Sequence, residues 1–193
     1  MRDRSPDATI ATAFWTRLDT DGHDACRLAR TSAGWRLAGC ATFLHEAKAC
    51  ALAYAVDCDD AWRTLSARVD GFVGHDRLVF DVSRAGDTWL MNGMPQPDAA
   101  GQIDLDLGFT PATNLLALRR LDLAQGAHAT APAAYYLEFT TALGRLDQTY
   151  RRLDENRYAY ESPAHGYRAE LVVHPTGFVT DYPGLWRGVV STA

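Results

Sequence analysis

Lysine is nearly missing from this chain: Lys48 is the sole example, and every other strong base is arginine. Acids outnumber bases, 24 to 19, for a formal net charge of −5. That balance argues against a nucleic-acid partner, because phosphate backbones recruit basic faces. No apolar run is long enough to span a membrane, and the start Met-Arg-Asp-Arg-Ser-Pro-Asp opens no signal peptide of ordinary form. Cysteine is sparse and unpatterned. Cys26, Cys40, Cys50 and Cys58 include no C-x-x-C pair and no metal-ligand spacing. The expectation is four free thiols in a reducing cytoplasm. The histidines, His23, His45, His75, His128, His165 and His174, never fall in an H-x-H or H-x-x-x-H spacing, so no metal site is expected. A P-loop, a G-x-S-x-G elbow and a G-x-G-x-x-G turn are missing too. No cofactor and no catalytic residue is expected.

What is present is an ordinary globular composition, 47% hydrophobic and 22% charged over 193 residues. The length fits one domain with a substantial core. The chain is organised around residues 104–123. Asp104-Leu105-Asp106-Leu107 alternates acid and leucine, the period of a strand with one apolar face. Gly108 permits a turn. Thr110-Pro111 is a helix-start signal, with Thr110 as cap and Pro111 at the first helical position. Ala112, Leu115, Leu116 and Leu118 supply an apolar side. Alternation returns at Arg119-Arg120-Leu121-Asp122-Leu123, so the reading is strand, turn, short helix, strand.

Asp104, Asp106, Asn114, Arg119 and Arg120 are polar groups among residues patterned for burial. Buried charges need partners, and arginine offers carboxylates a fork of donors. Asp104 and Asp106 are therefore expected in a structural polar network with one of the arginines. On a strand the two arginines would face opposite sides and differ in burial.

Asp104–Leu107, Thr110-Pro-Ala-Thr-Asn114 and Arg119-Arg-Leu121 resemble the signature of a bacterial glycolipid-binding family, first catalogued as a domain of unknown function. Further matches follow in order: Trp15, Tyr54-Ala-Val with Trp62-Arg-Thr, Trp89 with Asn92-Gly93, Gln148-Thr-Tyr150, and the run from Gly177 to Gly184. The resemblance spans nearly the whole chain. It implies a spiral β-roll and a glycolipid or fatty amphiphile as partner. One departure is Ala117, where the family usually has proline before the hydrophobic-Arg-Arg-Leu run, so the end of the helix stays open.

The rest of the chain agrees with a β-rich fold. Residues 1–12 read as a flexible N-terminal tail and 13–190 as a single domain. Strands are expected at 13–19, 26–31, 35–44, 62–69, 77–83 and 87–91, with Asp21-Gly22, Asp70-Gly71 and Ala85-Gly86-Asp87 as turns. His45–Cys58 is ambiguous, its alanines favouring helix and its apolar run a buried strand, and the resemblance implies a strand at 51–57. A second meander is expected from strands at 134–139, 145–153, 157–161, 166–174 and 178–182. The expected fold class is mostly β: a single-domain spiral β-roll, a highly curved antiparallel sheet wrapped around one short α-helix.

Tyrosines crowd the last third, and Tyr158 and Tyr160 alternate onto one strand face. An apolar body with a polar tip suits acyl chains or sugar faces. The leading expectation is non-enzymatic binding or carriage of a glycolipid or other amphiphile in an apolar cavity between sheet and helix. Each buried CH₂ would contribute about 0.8 kcal/mol. Leu115, Leu116 and Tyr150 are the expected wall residues, Asn114 a rim group, and Arg119 or Arg120 the head-group contact. Two alternatives remain open. One is a hydrolase using Asp104 and Asp106 as a carboxylate pair, although nearby arginines would hold both ionised. The other is a dimerising scaffold without ligand, and a homodimer is compatible with either reading.

Overall fold

The computed structural model describes residues 8–137 and 139–192. Eight strands come first: β1 (Ala8–Arg17), β2 (Gly22–Thr31), β3 (Gly34–His45), β4 (Lys48–Cys58), β5 (Thr64–Val73), β6 (Asp76–Ala85), β7 (Thr88–Met91) and β8 (Met94–Pro95). The central segment holds β9 (Asp104–Leu107) and the helix α1 (Asn114–Leu121), followed by β10 (His128–Thr130), β11 (Ala133–Tyr136) and β12 (Gly144–Leu146). The last meander is β13 (Thr149–Arg152), β14 (Arg157–Ser162), β15 (Tyr167–Val173), β16 (Val179–Tyr182) and β17 (Trp186–Thr192). α1 is the one α-helix among the described residues.

Fourteen strands form one sheet in the order β10-β13-β14-β15-β16-β17-β1-β2-β3-β4-β5-β6-β7-β8, each pair antiparallel. Its edges, β10 and β8, do not meet, so it is an open roll and not a closed barrel. Register shifts in β1–β2, β4–β5 and β15–β16 add local twist. A second sheet, β12-β11-β9, contains the parallel pair β9–β11.

Period-two patterning sets which side faces inward. On β4 the buried residues are Cys50, Leu52, Tyr54, Val56 and Cys58, every second position. Trp15, Phe80, Trp89, Phe109, Tyr136, Tyr150 and Phe178 fill the interior from both meanders and from the central segment. α1 lies among them. Asn114 reaches Tyr150 on β13, Arg120 reaches Asp104 on β9, and Arg119 stacks over Trp62 in the β4–β5 connection. The sheet thus brings its two halves around one helix, the arrangement expected from the sequence.

Several expectations need correction. Asp70-Gly71 lies inside β5, and the turn follows at Gly74-His75. Residues 8–12 belong to β1 and not to a tail, because they pair with β2 and, from Ala11, with β17; residues 1–7 lie outside the described residues. The helix starts at Asn114 and not at Pro111. Thr110 Oγ1 still accepts a hydrogen bond, from the Ala112 amide, but it closes the turn that precedes the helix. Arg119, Arg120 and Leu121 continue the helix instead of starting a strand, which ends only at Asp122 in the left-handed region, φ 40°. With Ala117 in place of proline nothing stops the helix earlier. Finally, residues 145–153 divide between β12 and β13 in different sheets, and β17 was not foreseen. The cysteines are all free, and Cys40 points outward while Cys26, Cys50 and Cys58 are buried.

β17 matters because its pairing with β1 joins the two meanders. Trp15 is fully buried at this seam and donates from Nε1 to the Val179 carbonyl at 2.6 Å. Gly188 stands opposite Trp15 in register. A methyl group there would come within 2.6 Å of the indole Nε1, and the buried ring has no room to retreat. Gly188→Ala is expected to cost about 1–3 kcal/mol, the usual range for overpacking, read from urea unfolding. A midpoint equal to wild type would show that the seam tolerates separation.

Candidate ligand cleft

β9 alternates strictly. Leu105 and Leu107 point into the core at 1% and 0% exposure, and Asp104 and Asp106 share the opposite face. The chain then turns at Gly108, where space is already tight. A Cβ there would sit 2.9 Å from the Tyr135 hydroxyl. The turn carries Thr110 and Pro111 toward the C-terminal meander and sets Asn114 at the start of α1. A half-open cleft of about 380 Å³ lies between this turn and the meander. Asp106, Thr110 and Asn114 line it from one side. Tyr160 and Ser162 of β14, Tyr182 of β16 and Trp186 of β17 line the other, with Arg17 of β1 beside them.

The polar groups around the cleft are ordered. Asn114 Nδ2 donates to the Tyr150 hydroxyl at 2.9 Å, which donates to Gln148 Oε1 at 3.2 Å. Tyr160 donates to the same Gln148 oxygen at 3.0 Å. Tyr150 and Tyr160 rings lie 5.0 Å apart, and Tyr160 meets Tyr182 edge-on at 5.7 Å. This net fixes the side chains that face the cleft before any ligand arrives. Arg17 is held by Asp19, at 2.9 and 3.1 Å, and its guanidinium stacks on Phe43 and Trp186.

Two groups are left without such bonds. The Ser162 hydroxyl is buried and has no partner at hydrogen-bond geometry. Asp106 accepts no hydrogen bond and forms no ion pair with any described residue, whereas Asp104 takes both forks of Arg120 at 2.9 and 2.6 Å. The expected network therefore contains Asp104 and Arg120 but not Asp106. Arg120 projects from α1 onto Asp104, and Arg119, one residue earlier, points away toward the Pro175 carbonyl. Burial, and secondarily the Asp104 charge, pushes the Asp106 carboxyl up to about 7. The expectation that arginine would hold both carboxylates ionised does not apply to Asp106. Burial also raises Asp104, against the pull of Arg120.

A second buried carboxyl stands behind Thr110. Asp24 is 1% exposed, accepts from Thr110 Oγ1 and accepts from the Tyr54 hydroxyl at 2.8 Å. Burial pushes it up to about 6 despite these bonds, and its other oxygen has no partner.

Of the residues singled out from the sequence, Asn114 and Asp106 reach the cleft. Leu115 and Leu116 do not; both are fully buried on the core side of α1. Tyr150 lies behind Tyr160 and orients Asn114 instead of forming wall. Arg119 is exposed on the far side of the helix and Arg120 is committed to Asp104, so neither lines the cleft. Arg17, Ser162, Tyr182 and Trp186 were missed. Ser162 had a signal, since Tyr158, Tyr160 and Ser162 form one alternating face of β14. Among the described residues no group of His, Cys, Asp or Glu converges as a metal site, and no helix is long and apolar enough to cross a membrane.

A search of curated proteins returns no match. The chain is similar to a crystal structure, at 1.80 Å resolution, of a DUF1089 family protein from Pseudomonas aeruginosa, with 26% identity and a TM-score of 0.69 over 95% of this chain and 94% of that one. The model of a family described as "Putative glycolipid-binding" matches residues 12–188, nearly the full length of the roll, and the chain belongs to that family.

Proposed function

We propose that this protein binds a glycolipid or related amphiphile in the cleft beside α1, with no chemical step. The observation that carries the reading is the pairing of an aromatic, half-open cleft with polar groups that face it unused, Asp106 and Ser162. Binding sites of this kind combine apolar walls with a few placed polar groups. A volume of about 380 Å³ is at the small end of the roughly 300–1,000 Å³ range for ligand pockets. It suits a head group with the first part of its tail. The exposed Leu137 at the rim and Leu185 offer an apolar way out for the remainder.

A hydrolase is the second reading, favoured by the raised Asp106 carboxyl, since a general acid must hold its proton near neutral pH. Two-carboxylate hydrolysis needs a second free carboxyl. Asp104, the neighbour on the same strand face, is clamped by Arg120, so the binding reading is preferred. Cytoplasmic residence belongs to the same proposal and is supported by four unbridged cysteines. So does a homodimer, supported by the exposed Phe14 and Val189, which pair across β1 and β17; the mass in solution tests it.

Native mass spectrometry with lipid extraction of freshly purified protein tests the main reading, together with titration of a fluorescent amphiphile. Wild type is expected to bind. Ser162→Phe, which places a ring in the cleft, is expected to lower affinity at least tenfold while the circular dichroism stays native. Wild type that neither carries lipid nor takes up the probe would overturn the proposal.

A further inference from the structure

Summed over its ion pairs, the cleft is left with a negative charge. Arg17 is forked onto Asp19 at 2.9 and 3.1 Å, and Asp104 holds both forks of Arg120, so each pair is neutral as a unit. Asp106 has no such partner. It is half-buried in the cleft wall and makes no hydrogen bond or ion pair with any described residue. Rings complete the wall. Tyr160 of β14, Tyr167 of β15 and Tyr182 of β16 line the cleft from neighbouring strands, with ring centroids 5.4, 5.7 and 6.1 Å apart pairwise. Burial first and the Asp106 charge second push the Tyr160 phenol up, which puts the carboxylate within electrostatic reach of these rings. Trp186, on the same wall, already holds a cation over its ring, the Arg17 guanidinium at 5.3 Å.

We infer that the cleft holds an organic-cation subsite, in which Asp106 and the ring wall of Tyr160, Tyr167 and Tyr182 take a primary ammonium group on the bound amphiphile. This rests on the amphiphile-binding reading above and names the charge of the head group. An unpaired carboxylate in a poorly hydrated wall is unfavourable, and a cationic donor removes that cost. An N⁺–H to carboxylate bond is also stronger than a neutral one. The faces of tyrosine rings carry negative potential, so they attract the same cation that the carboxylate does. A metal ion does not fit. It needs several hard oxygen ligands, and no group of His, Cys, Asp or Glu converges among the described residues. A neutral head group leaves the Asp106 charge unanswered, and an anionic one meets it as a like charge where water is scarce. Arg17 does not reverse this, because Asp19 neutralises it and Phe43 and Trp186 stack against it. His165, the other basic group of the cleft, is exposed, meets Tyr135 edge-on at 5.6 Å and forms no ion pair with Asp106.

The test uses three probes with similar tails and different charge: octylammonium, octyl glucoside and octanoate. Each is titrated by calorimetry below its micelle concentration at pH 8, where the Asp106 carboxyl, pushed up by burial to about 7, is ionised. Wild type is expected to bind octylammonium at least tenfold more tightly than octanoate, and more tightly than octyl glucoside. Asp106→Asn, which keeps shape and removes charge, is expected to weaken octylammonium at least tenfold and to change octyl glucoside less than threefold. Tyr167→Leu, which takes one ring from the wall, is expected to weaken octylammonium at least threefold and leave octanoate unchanged. Asp81→Asn removes the same charge from an exposed position on β6 and is expected to change nothing, which separates the site from the net charge of −5. Circular dichroism checks that each variant is folded. Octanoate or the glucoside binding wild type as tightly as octylammonium overturns the inference while the amphiphile reading stands. So does an octylammonium affinity that survives Asp106→Asn or Tyr167→Leu, or that falls equally in Asp81→Asn. If wild type binds none of the three, the amphiphile reading fails and the inference with it.

Discussion

Arg120→Ala is expected to lower folding stability by about 3–5 kcal/mol, the usual cost of removing one partner from a buried ion pair. The pair ties α1 to β9 through two parallel bonds at 2.9 and 2.6 Å, with side-chain exposures of 18% for Arg120 and 2% for Asp104. Truncating the arginine leaves Asp104 buried without its fork. Burial already raises that carboxyl with Arg120 in place, so in the variant it would take up a proton more readily. Neutralisation limits the damage in acid, and the loss should be larger at pH 8 than at pH 5. Arg119→Ala supplies the control. Its side chain is exposed, lies 3.4 Å from the Pro175 carbonyl and stacks over Trp62 at 5.3 Å, contacts worth about 0.5–1 kcal/mol. Urea unfolding of the two variants at both pH values decides the matter. Equal effects of the two substitutions, or a loss below 1 kcal/mol for Arg120→Ala, would remove the pair from the account of stability.

The same two arginines mark how far the sequence could be read. Alternation on β9, most of the turn signals and the Thr110-Pro111 punctuation revealed a strand-rich chain around one short helix, while the alanine-rich run of β4 fitted helix and strand alike. They also marked Asp104 as needing a partner. Arg119–Leu123 is too short for its period alone to separate strand from helix. Leu118, Leu121 and the two arginines fit a helix that nothing interrupts once proline is absent, and short apolar runs do not separate the two periods. β17 was hidden for a different reason. Gly188 weakens its local strand signal, and its role depends on Trp15, more than 170 positions away. The cleft was legible only in part. Asn114 and Asp106 were visible as polar residues out of place, and the strand face of Tyr158, Tyr160 and Ser162 was visible in principle. Arg17 and Trp186 reach the cleft only because β1 and β17 pair, a long-range fact with no local trace. Leu115 and Leu116 were named for the helix's apolar side, and that side belongs to the core because the roll packs it tightly.

Folding stability is expected to fall as pH rises from 5 to 8, against the common pattern in which salt-bridged carboxylates favour neutral pH. The cause is Asp106 and Asp24, whose carboxyls burial pushes from 3.8 up to about 7 and about 6. A raised carboxyl holds its proton in the folded state over a range where the unfolded chain has lost it. Its stabilising contribution is complete below the unfolded value near 3.8 and is lost as pH climbs through about 6 for Asp24 and about 7 for Asp106. A shift of about three units corresponds to about 4 kcal/mol, an upper bound for Asp106, since solvent enters the cleft. The charged and titratable groups that share the cleft with Asp106 or act on it electrostatically are Asp104, Arg17, His165, Tyr135, Tyr150, Tyr160, Tyr167 and Tyr182. Of these, Asp104 is paired with Arg120, and burial raises Tyr150, Tyr160, Tyr167 and Tyr182 so that they stay neutral across the window. Asp106→Asn should therefore flatten the upper part of the profile and make the protein more stable than wild type at pH 8. Asp24→Asn should remove the lower part. Urea unfolding at pH 5, 6, 7 and 8 checks all three proteins, and a wild-type profile that is flat or rises with pH would contradict the assignment. Binding is linked to the same proton. A ligand that donates hydrogen bonds to Asp106 favours the ionised form, so it should bind more tightly at pH 8 than at pH 5. Saturating ligand should then stabilise the protein most where the free protein is weakest.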